Sequence, residues 1–310
     1  MSVRSDRNGW VAALLRVAAR LAAVFVLAGI LATIYIFLIR PARLRWGATD
    51  EEVARQMPED GLVASPAFDA TRAITINARP EQIWPWLAQM GYRRAGFYGY
   101  DLIENIASGT GLRSAQTILP RLQNPHPGDE LPISAVASIQ FGGVEPNHYL
   151  VWRGTEAPPN GVFIWQLVPI NENQTRLISR IRWRYHSEYP ARALDLFTEF
   201  GDHVAVRAVL HGIHNLAEGR GTETLFAQGA EIAGWLLGMM ELAAGAMFVL
   251  YWRRWLRAWM LALGAGLLLQ FVLYGPAPVW VSVPLPWFYL TLMVWCWRRE
   301  RLLQRLQAPA

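Results

Sequence analysis

One segment of the sequence gathers polar groups that can move protons. Tyr98, Tyr100, Asp101 and Glu104 fall within seven residues, next to residues predicted to line the interior of a folded domain. A tyrosine paired with a carboxylate can act as acid and base on a ligand carbonyl or enol. The same residue types also cap turns and pack beneath loops. The four residues are therefore candidate catalytic groups with an equally ordinary structural interpretation, and the sequence does not predict a reaction.

Metal, nucleotide and nucleophile chemistry are not supported. His211 and His214 are helix neighbours, but they lack a third ligand at suitable spacing, so no metal site is predicted. No phosphate-binding glycine loop is present and no cofactor is predicted. Cys296 is the single cysteine and lies in an apolar stretch, which excludes an intramolecular disulfide and a Cys-His nucleophile pair.

Four apolar stretches of about 18 to 22 residues predict transmembrane helices. They cover residues 21–38, 230–251, 256–274 and 279–296. Many arginines stand at the ends of these stretches, so membrane topology explains the net charge of +5, and nucleic-acid binding is not predicted. The basic residues after position 251 and after position 297 predict a cytoplasmic location for both segments. The soluble domain is then expected outside the cytoplasm of a bacterial cell membrane, although the arginines after the first stretch argue against this orientation.

Two features of the second stretch concern helix packing. Gly234, Gly238 and Gly245 share a helix face, which predicts close approach of another helix. Glu241 is expected to be a protonated or hydrogen-bonded packing group that faces Gln270 of the next stretch.

The segment between the first two stretches is predicted to fold as an α+β domain. A strand at residues 71–77 precedes a helix at 80–90. Strands follow at 131–141, 148–153, 162–169 and 175–185, and a long helix covers 191–218. This order favours a curved antiparallel sheet wrapped around the last helix. The predicted divisions are an N-terminal anchor (1–45), a lead-in linker (46–69), the domain (70–218), a linker (219–229), three transmembrane helices (230–297) and a basic tail (298–310).

Several runs of residues resemble the START-like, or SRPBCC (polyketide cyclase/lipid transport), superfamily. They are residues 70–91 (ATRAITINARPEQIWPWLAQMG), 94–101 (RAGFYGYD), 102–105 (LIEN) and 207–214 (RAVLHGIH). Residues 46–53 (WGATDEEV) resemble the lead-in of membrane-anchored bacterial members. The resemblance implies a helix-grip fold with an apolar cavity between the sheet and the long helix, and it implies no reaction.

Alternation separates the predicted inner and outer faces. On the last strand, the arginines Arg176, Arg180, Arg182 and Arg184 are expected on a solvated outer face. The inner set predicts contacts to a hydrophobic ligand, although a filled core would give the same pattern. The predicted ligand contacts are Trp86, Tyr98, Tyr100, Phe163, Trp165, Trp183, Phe197, Phe200, His203 and Val204.

The main functional hypothesis is a membrane-anchored module that binds a hydrophobic small molecule or lipid. One alternative is an enzyme of the cyclase, dehydratase or isomerase type that acts on such a ligand. The other is a protein-interaction module, with helix–helix association through the glycine face.

Overall fold

A computed structural model describes residues 3–103, 113–251, 255–275 and 279–306. The chain divides into two compact units. One comprises Pro41–Gln228, and the other comprises Met1–Arg40 together with Gly229–Ala310.

The first unit holds a sheet and the helices that cover it. Helices α2 (Arg40–Leu44) and α3 (Asp50–Ala54) and a 3₁₀ turn (Asp60–Leu62) precede strand β1 (Phe68–Ile76) and helix α4 (Pro80–Gln89). A second 3₁₀ turn (Pro120–Leu122) leads to strands β2 (Glu130–Pro132), β3 (Ser138–Glu145), β4 (Tyr149–Arg153), β5 (Gly161–Asn171) and β6 (Gln174–Trp183), followed by helix α5 (Ala191–Ala217).

The strands form a six-stranded antiparallel sheet in the order β1-β6-β5-β4-β3-β2 within the described residues. The predicted α+β class is confirmed, and so are the positions of β1, β4, β5, β6, α4 and α5. The strand predicted at 131–141 is wrong in one respect, because it is a hairpin. Ile133 and Ser134 both donate backbone hydrogen bonds to the carbonyl of Ala137, so the chain reverses between β2 and β3.

The main core lies between one face of the sheet and helices α4 and α5. Ile83 and Leu87 of α4 and Leu210 and Ile213 of α5 are fully buried there against sheet residues that include Trp165. Pro80 begins α4, where a missing backbone N–H costs nothing, and the helix buries Ile83, Trp86 and Leu87.

The opposite face of the sheet is not solvated, which corrects the expectation for the four arginines. The lead-in segment covers it, and Met57 and Val63 pack in a second buried cluster with Val151, Ile164 and Ile178. The arginines find their partners in the same segment or in neighbouring loops: Arg176 with Glu52, Arg180 and Arg182 with Asp60, and Arg184 with the carbonyls of Leu62 and Pro159.

The second unit contains long apolar helices. Helix α1 (Val3–Ile34) continues through a π-helical segment (Tyr35–Ile39), and helices α6 (Leu225–Tyr251), α7 (Trp255–Tyr274), α8 (Val279–Ser282) and α9 (Pro284–Leu306) follow the domain. Among the described residues, three helices have the length and apolar composition to span a membrane: Gly9–Leu44, Leu225–Tyr251 and Trp255–Tyr274.

The prediction of four spans is therefore wrong at residues 279–296. Helix α8 ends at Ser282 and Pro284 starts a new helix, because proline cannot continue the hydrogen-bond ladder. The apolar part of α9 ends before Arg298, which leaves about 14 residues or roughly 21 Å of helix, short of a hydrocarbon core of about 30 Å. The orientation of the soluble domain relied on four spans and stays a prediction.

The glycine face of α6 packs within the chain. A Cβ added to Gly245 would lie 2.7 Å from Cβ of Ala262, and one added to Gly238 would lie 3.1 Å from Leu269, so both glycines allow α7 to approach closely. Gln270 is not hydrogen-bonded to Glu241, and its Nε2 donates instead to the carbonyl of Leu31 at 3.1 Å. Glu241 is buried, and its carboxyl oxygens have no hydrogen-bond partner among the described residues.

Candidate functional site

Four aromatic side chains meet on the inner face of the sheet. Trp152 of β4 lies with its ring centroid 5.4 Å from Trp165 and 5.9 Å from Phe163, both of β5. Phe163 and Trp165 stack at 5.2 Å, and Phe97 contacts Trp152 edge-on at 6.3 Å. This aromatic cluster, defined as Phe97, Trp152, Phe163 and Trp165, offers the flat apolar surface that hydrophobic ligands require.

The inner face also carries buried donors without acceptors. The indole Nε1 atoms of Trp152 and Trp165 and the Nη2 of Arg72 are buried and have no hydrogen-bond partner among the described residues. Leaving a buried donor unsatisfied costs about 1–3 kcal/mol, and such groups concentrate at functional sites. Arg72 pairs with Ser179 across β1 and β6, and Ser179 pairs with Trp165 across β6 and β5. The residues that carry two of these donors, Arg72 and Trp165, therefore lie on one row across the sheet, with Cα atoms two strand spacings or about 10 Å apart.

Two ion pairs connect this row to the first half of α5. Arg72 Nη1 lies 2.6 Å from Asp202 Oδ2, and Arg43 Nη2 donates to Glu199 Oε1 at 2.6 Å. Arg72 Nε also donates to the carbonyl of Arg43 at 3.0 Å. Burial raises the pKa of Asp202, and the neighbouring guanidinium of Arg72 opposes that rise. Because all four side chains are buried, these pairs fix the rotation of α5 against the sheet.

His203 lies in the same layer and is fully buried. Its Nδ1 lies 3.2 Å from the carbonyl of Arg43, which assigns the proton to Nδ1 when the ring is neutral. Burial, together with the nearby guanidinium groups of Arg72, Arg207 and Arg43, lowers the pKa of His203 to about 3. The imidazole is therefore neutral at pH 7 and donates a hydrogen bond to the main chain.

The candidate catalytic residues are engaged in local structure where they are described. The Tyr98 hydroxyl donates to the carbonyl of Trp86 at 3.2 Å, and burial raises the pKa of Tyr98. Asp101 accepts hydrogen bonds from the amide of Ser114 at 3.0 Å and from its hydroxyl at 2.5 Å. Tyr100 is buried, and Glu104 lies outside the described residues. These contacts agree with the turn-and-packing interpretation of the segment.

The predicted ligand contacts separate into three groups. Phe163 and Trp165 belong to the aromatic cluster, and Trp183 packs beside Phe163 in a neighbouring cluster. Trp86 and Tyr98 pack edge to face, 5.9 Å between centroids, within the main core. On α5, His203 and Val204 are buried.

Phe197 and Phe200 do not face the sheet, which corrects the prediction for α5. Phe197 is 72% exposed and Phe200 is 43% exposed. The reason is that the inner side of this part of α5 is occupied by Glu199, Asp202 and His203, which are held by partners on β1 and α2.

Arg72, Asp202 and Trp152 are among the site residues that were not predicted, although the sequence held a signal for each. Arg72 shares the inner face of β1 with Ala70 and Ile74, so a charged side chain occupies a position where the strand pattern predicts an apolar one. Such a residue needs a buried counter-charge, and Asp202 on α5 supplies it. Trp152 lies two residues after Leu150 in β4, so the same alternation predicts that Trp152 also points to the inner face.

Comparisons with known proteins give structural matches and no sequence-level assignment. No protein-family model matches the chain, and no curated protein matches it. A solved polyketide cyclase-like protein of Corynebacterium glutamicum is 14% identical over 48% of this chain and 91% of its own, with a TM-score of 0.32.

Two further solved structures give similar values. A protein of Mesorhizobium loti is 19% identical over 48% of this chain and 96% of its own, with a TM-score of 0.29. A protein of Bordetella parapertussis is 17% identical over 54% of this chain and 83% of its own, also with a TM-score of 0.29. These solved structures each match about half of this chain.

Proposed function

We propose that the unit Pro41–Gln228 is a membrane-held module that binds a hydrophobic small molecule or lipid carrying an oxygen acceptor. The observation that carries the proposal is the set of buried, unpaired donors on the inner face of the sheet: Trp152 Nε1, Trp165 Nε1 and Arg72 Nη2. A ligand with a carbonyl, hydroxyl or carboxylate group would satisfy these donors.

The side chains at the two ends of the row, Trp165 with the aromatic cluster and Arg72, indicate the chemistry of the ligand. The aromatic cluster favours an apolar or polycyclic body, and the guanidinium of Arg72, on the strand two positions from Trp165 in the sheet, favours an oxygen-bearing group. An amphiphile with an apolar body and one polar end fits both requirements.

The flanking apolar helices support a ligand that comes from the bilayer. The unit follows one helix that is long and apolar enough to span a membrane and precedes two others. Such tethering raises the effective concentration of any ligand dissolved in the membrane. The contacts of Tyr98 and Asp101 favour no second function.

Native mass spectrometry of the full chain, purified from membranes in mild detergent, tests the proposal. A bound lipid or isoprenoid is expected on the wild-type protein. Recovery without any adduct, both before and after incubation with a bacterial lipid extract, would contradict the proposal.

A pair of tryptophan variants tests the role of the donors. Trp165→Phe keeps an aromatic ring and removes the N–H, so a pyrene-labelled fatty acid should bind about five-fold more weakly, equivalent to about 1 kcal/mol for one hydrogen bond. Trp84→Phe is the matched control, since Trp84 is buried in the same core but lies outside the aromatic cluster. Equal affinity for the two variants would show that the indole N–H of Trp165 takes no part in binding.

A further inference from the structure

The first half of α5 has its polar side buried and its apolar side exposed. Asp195, Glu199 and Asp202 are buried. Leu194 is 65% exposed and Phe197 is 72% exposed. A helix on the surface of a soluble domain shows the opposite arrangement, with its apolar stripe turned to the core.

Buried polar contacts hold the helix in this rotation. Asp195 accepts a hydrogen bond from the amide of His186 at 2.6 Å, Glu199 pairs with Arg43, and Asp202 pairs with Arg72. Turning Phe197 inward would break all three contacts and leave Arg43 and Arg72 buried without their carboxylate partners. The exposed apolar side is therefore a fixed feature of the fold.

The exposed surface extends to the residues just before the helix. Tyr189 is 78% exposed, and the guanidinium of Arg192, also exposed, lies 6.0 Å from the ring centroid of Tyr185. We define Tyr189, Leu194 and Phe197 as the outer face of α5. Tyrosine and arginine beside apolar side chains are the composition found where proteins meet lipid headgroups.

The chain enters this unit through residues that pack against the sheet and against the other side of α5. Leu44 is the last residue of the apolar helical stretch Gly9–Leu44, and it packs against Phe68, Ala70 and Ile181. The preceding residue, Arg43, is bonded to Glu199 through its side chain. Glu199 and Phe197 lie on opposite sides of one helix, so the end of the anchor and the outer face are separated by about one helix diameter, roughly 10 Å.

We infer that the outer face of α5 is a membrane-docking surface, with Phe197 and Leu194 inserted at the boundary between headgroups and acyl chains. The helical stretch that could span a membrane runs to Leu44, so this unit follows the stretch without an intervening linker. This continuity of the chain is the reason for choosing a bilayer, and not another protein, as the occupant of the outer face. The inference is independent of the ligand proposed above, because it concerns the outside of α5 and not the inner face of the sheet.

Site-directed spin labelling of the full chain tests the inference. In a Cys296→Ser background, Phe197→Cys and Leu194→Cys each carry a nitroxide in vesicles of phosphatidylethanolamine and phosphatidylglycerol. Asn173→Cys is the control, because Asn173 is exposed in the turn before β6, about 30 Å along that strand from Trp183. Collision rates with oxygen, which concentrates in lipid, and with a water-soluble nickel complex are compared at each position.

The oxygen-to-nickel ratio is expected to be several-fold higher at positions 197 and 194 than at 173. A ratio at 197 and 194 equal to that at 173 would place the outer face in water and overturn the inference. Labels that are immobilised and reached by neither reagent would show that protein covers this face, which also overturns it. Two independent positions on α5 keep the test informative if one variant fails to fold.

Discussion

The buried pair Arg72–Asp202 gives the most direct test of how the inner face is stabilised. The two side chains are 1% and 6% exposed and lie 2.6 Å apart. Removing one partner leaves the other charge buried, which costs about 3–5 kcal/mol. Asp202→Leu and Arg72→Met should therefore each lower the free energy of unfolding by that amount.

The double variant should be far more stable than the sum of the two losses. Replacing both charges with apolar groups removes the desolvation penalty, although the hydrogen bond from Arg72 Nε to the carbonyl of Arg43 is still lost, at about 1 kcal/mol. We expect a total loss of about 1–2 kcal/mol and a coupling energy of several kcal/mol. Chemical unfolding of the full chain in detergent, followed by near-UV circular dichroism, measures the four free energies.

The pair Arg182–Asp69 is the matched control for this cycle. It lies 3.4 Å apart with side chains 18% and 47% exposed, so its coupling should stay below about 1 kcal/mol. If the two losses at Arg72 and Asp202 simply added, the charges would not be buried partners and the account of the α5 rotation would fail.

Three further predictions concern single positions. Between pH 6.5 and 5 the imidazole of His203 binds a proton in the unfolded chain but not in the folded one, where its pKa is about 3, so the wild-type protein should lose about 2 kcal/mol of stability over that range. His203→Phe should remove this pH dependence. The midpoint of urea unfolding at each pH measures it. Gly212→Ala should lower the free energy of unfolding by about 1–3 kcal/mol, because its Cβ would lie 2.1 Å from the carbonyl oxygen of Tyr98. Gly201→Ala, on the same helix but with open space around it, should raise the free energy of unfolding by about 0.5–1 kcal/mol in the same assay. Gly245→Val should separate α6 from α7 and lower the unfolding temperature in detergent, while Gly29→Ala, with no neighbour within 4 Å, should leave it unchanged or raise it.

The sheet could be predicted from the sequence because alternate residues of its strands point to opposite faces. In β5, Trp165 and Leu167 enter the main core, while Val162 and Ile164 enter the second cluster, as the period of two requires. Helix α4 could be predicted for a similar reason, since its apolar residues recur at the helical period after an N-terminal proline.

The rotation of α5 could not be predicted from its own residues. Phe197, Phe200 and Val204 recur at helical spacing, and a periodicity argument assigns that stripe to the core. What decides the rotation is the pairing of Glu199 and Asp202 with arginines more than a hundred residues earlier in the chain. Counting apolar residues likewise misjudged the last stretch, where Pro284 interrupts the helix.

The lead-in segment is part of the domain interior. On β6, Arg180 donates through all three of its nitrogens, to the Thr71 hydroxyl, the Asp60 carboxylate and the carbonyls of Glu52, Val53 and Arg55. An arginine that alternation places on an outer face is thus buried by residues that look like a linker. Arg43 and Leu44 also pack inside this unit. Residues 41–69 therefore contribute to the ion pairs on the inner face of the sheet, and they also cover the opposite face of the sheet. A domain that began at residue 70 would expose both layers, so the smallest unit that keeps these contacts begins where the anchor helix ends.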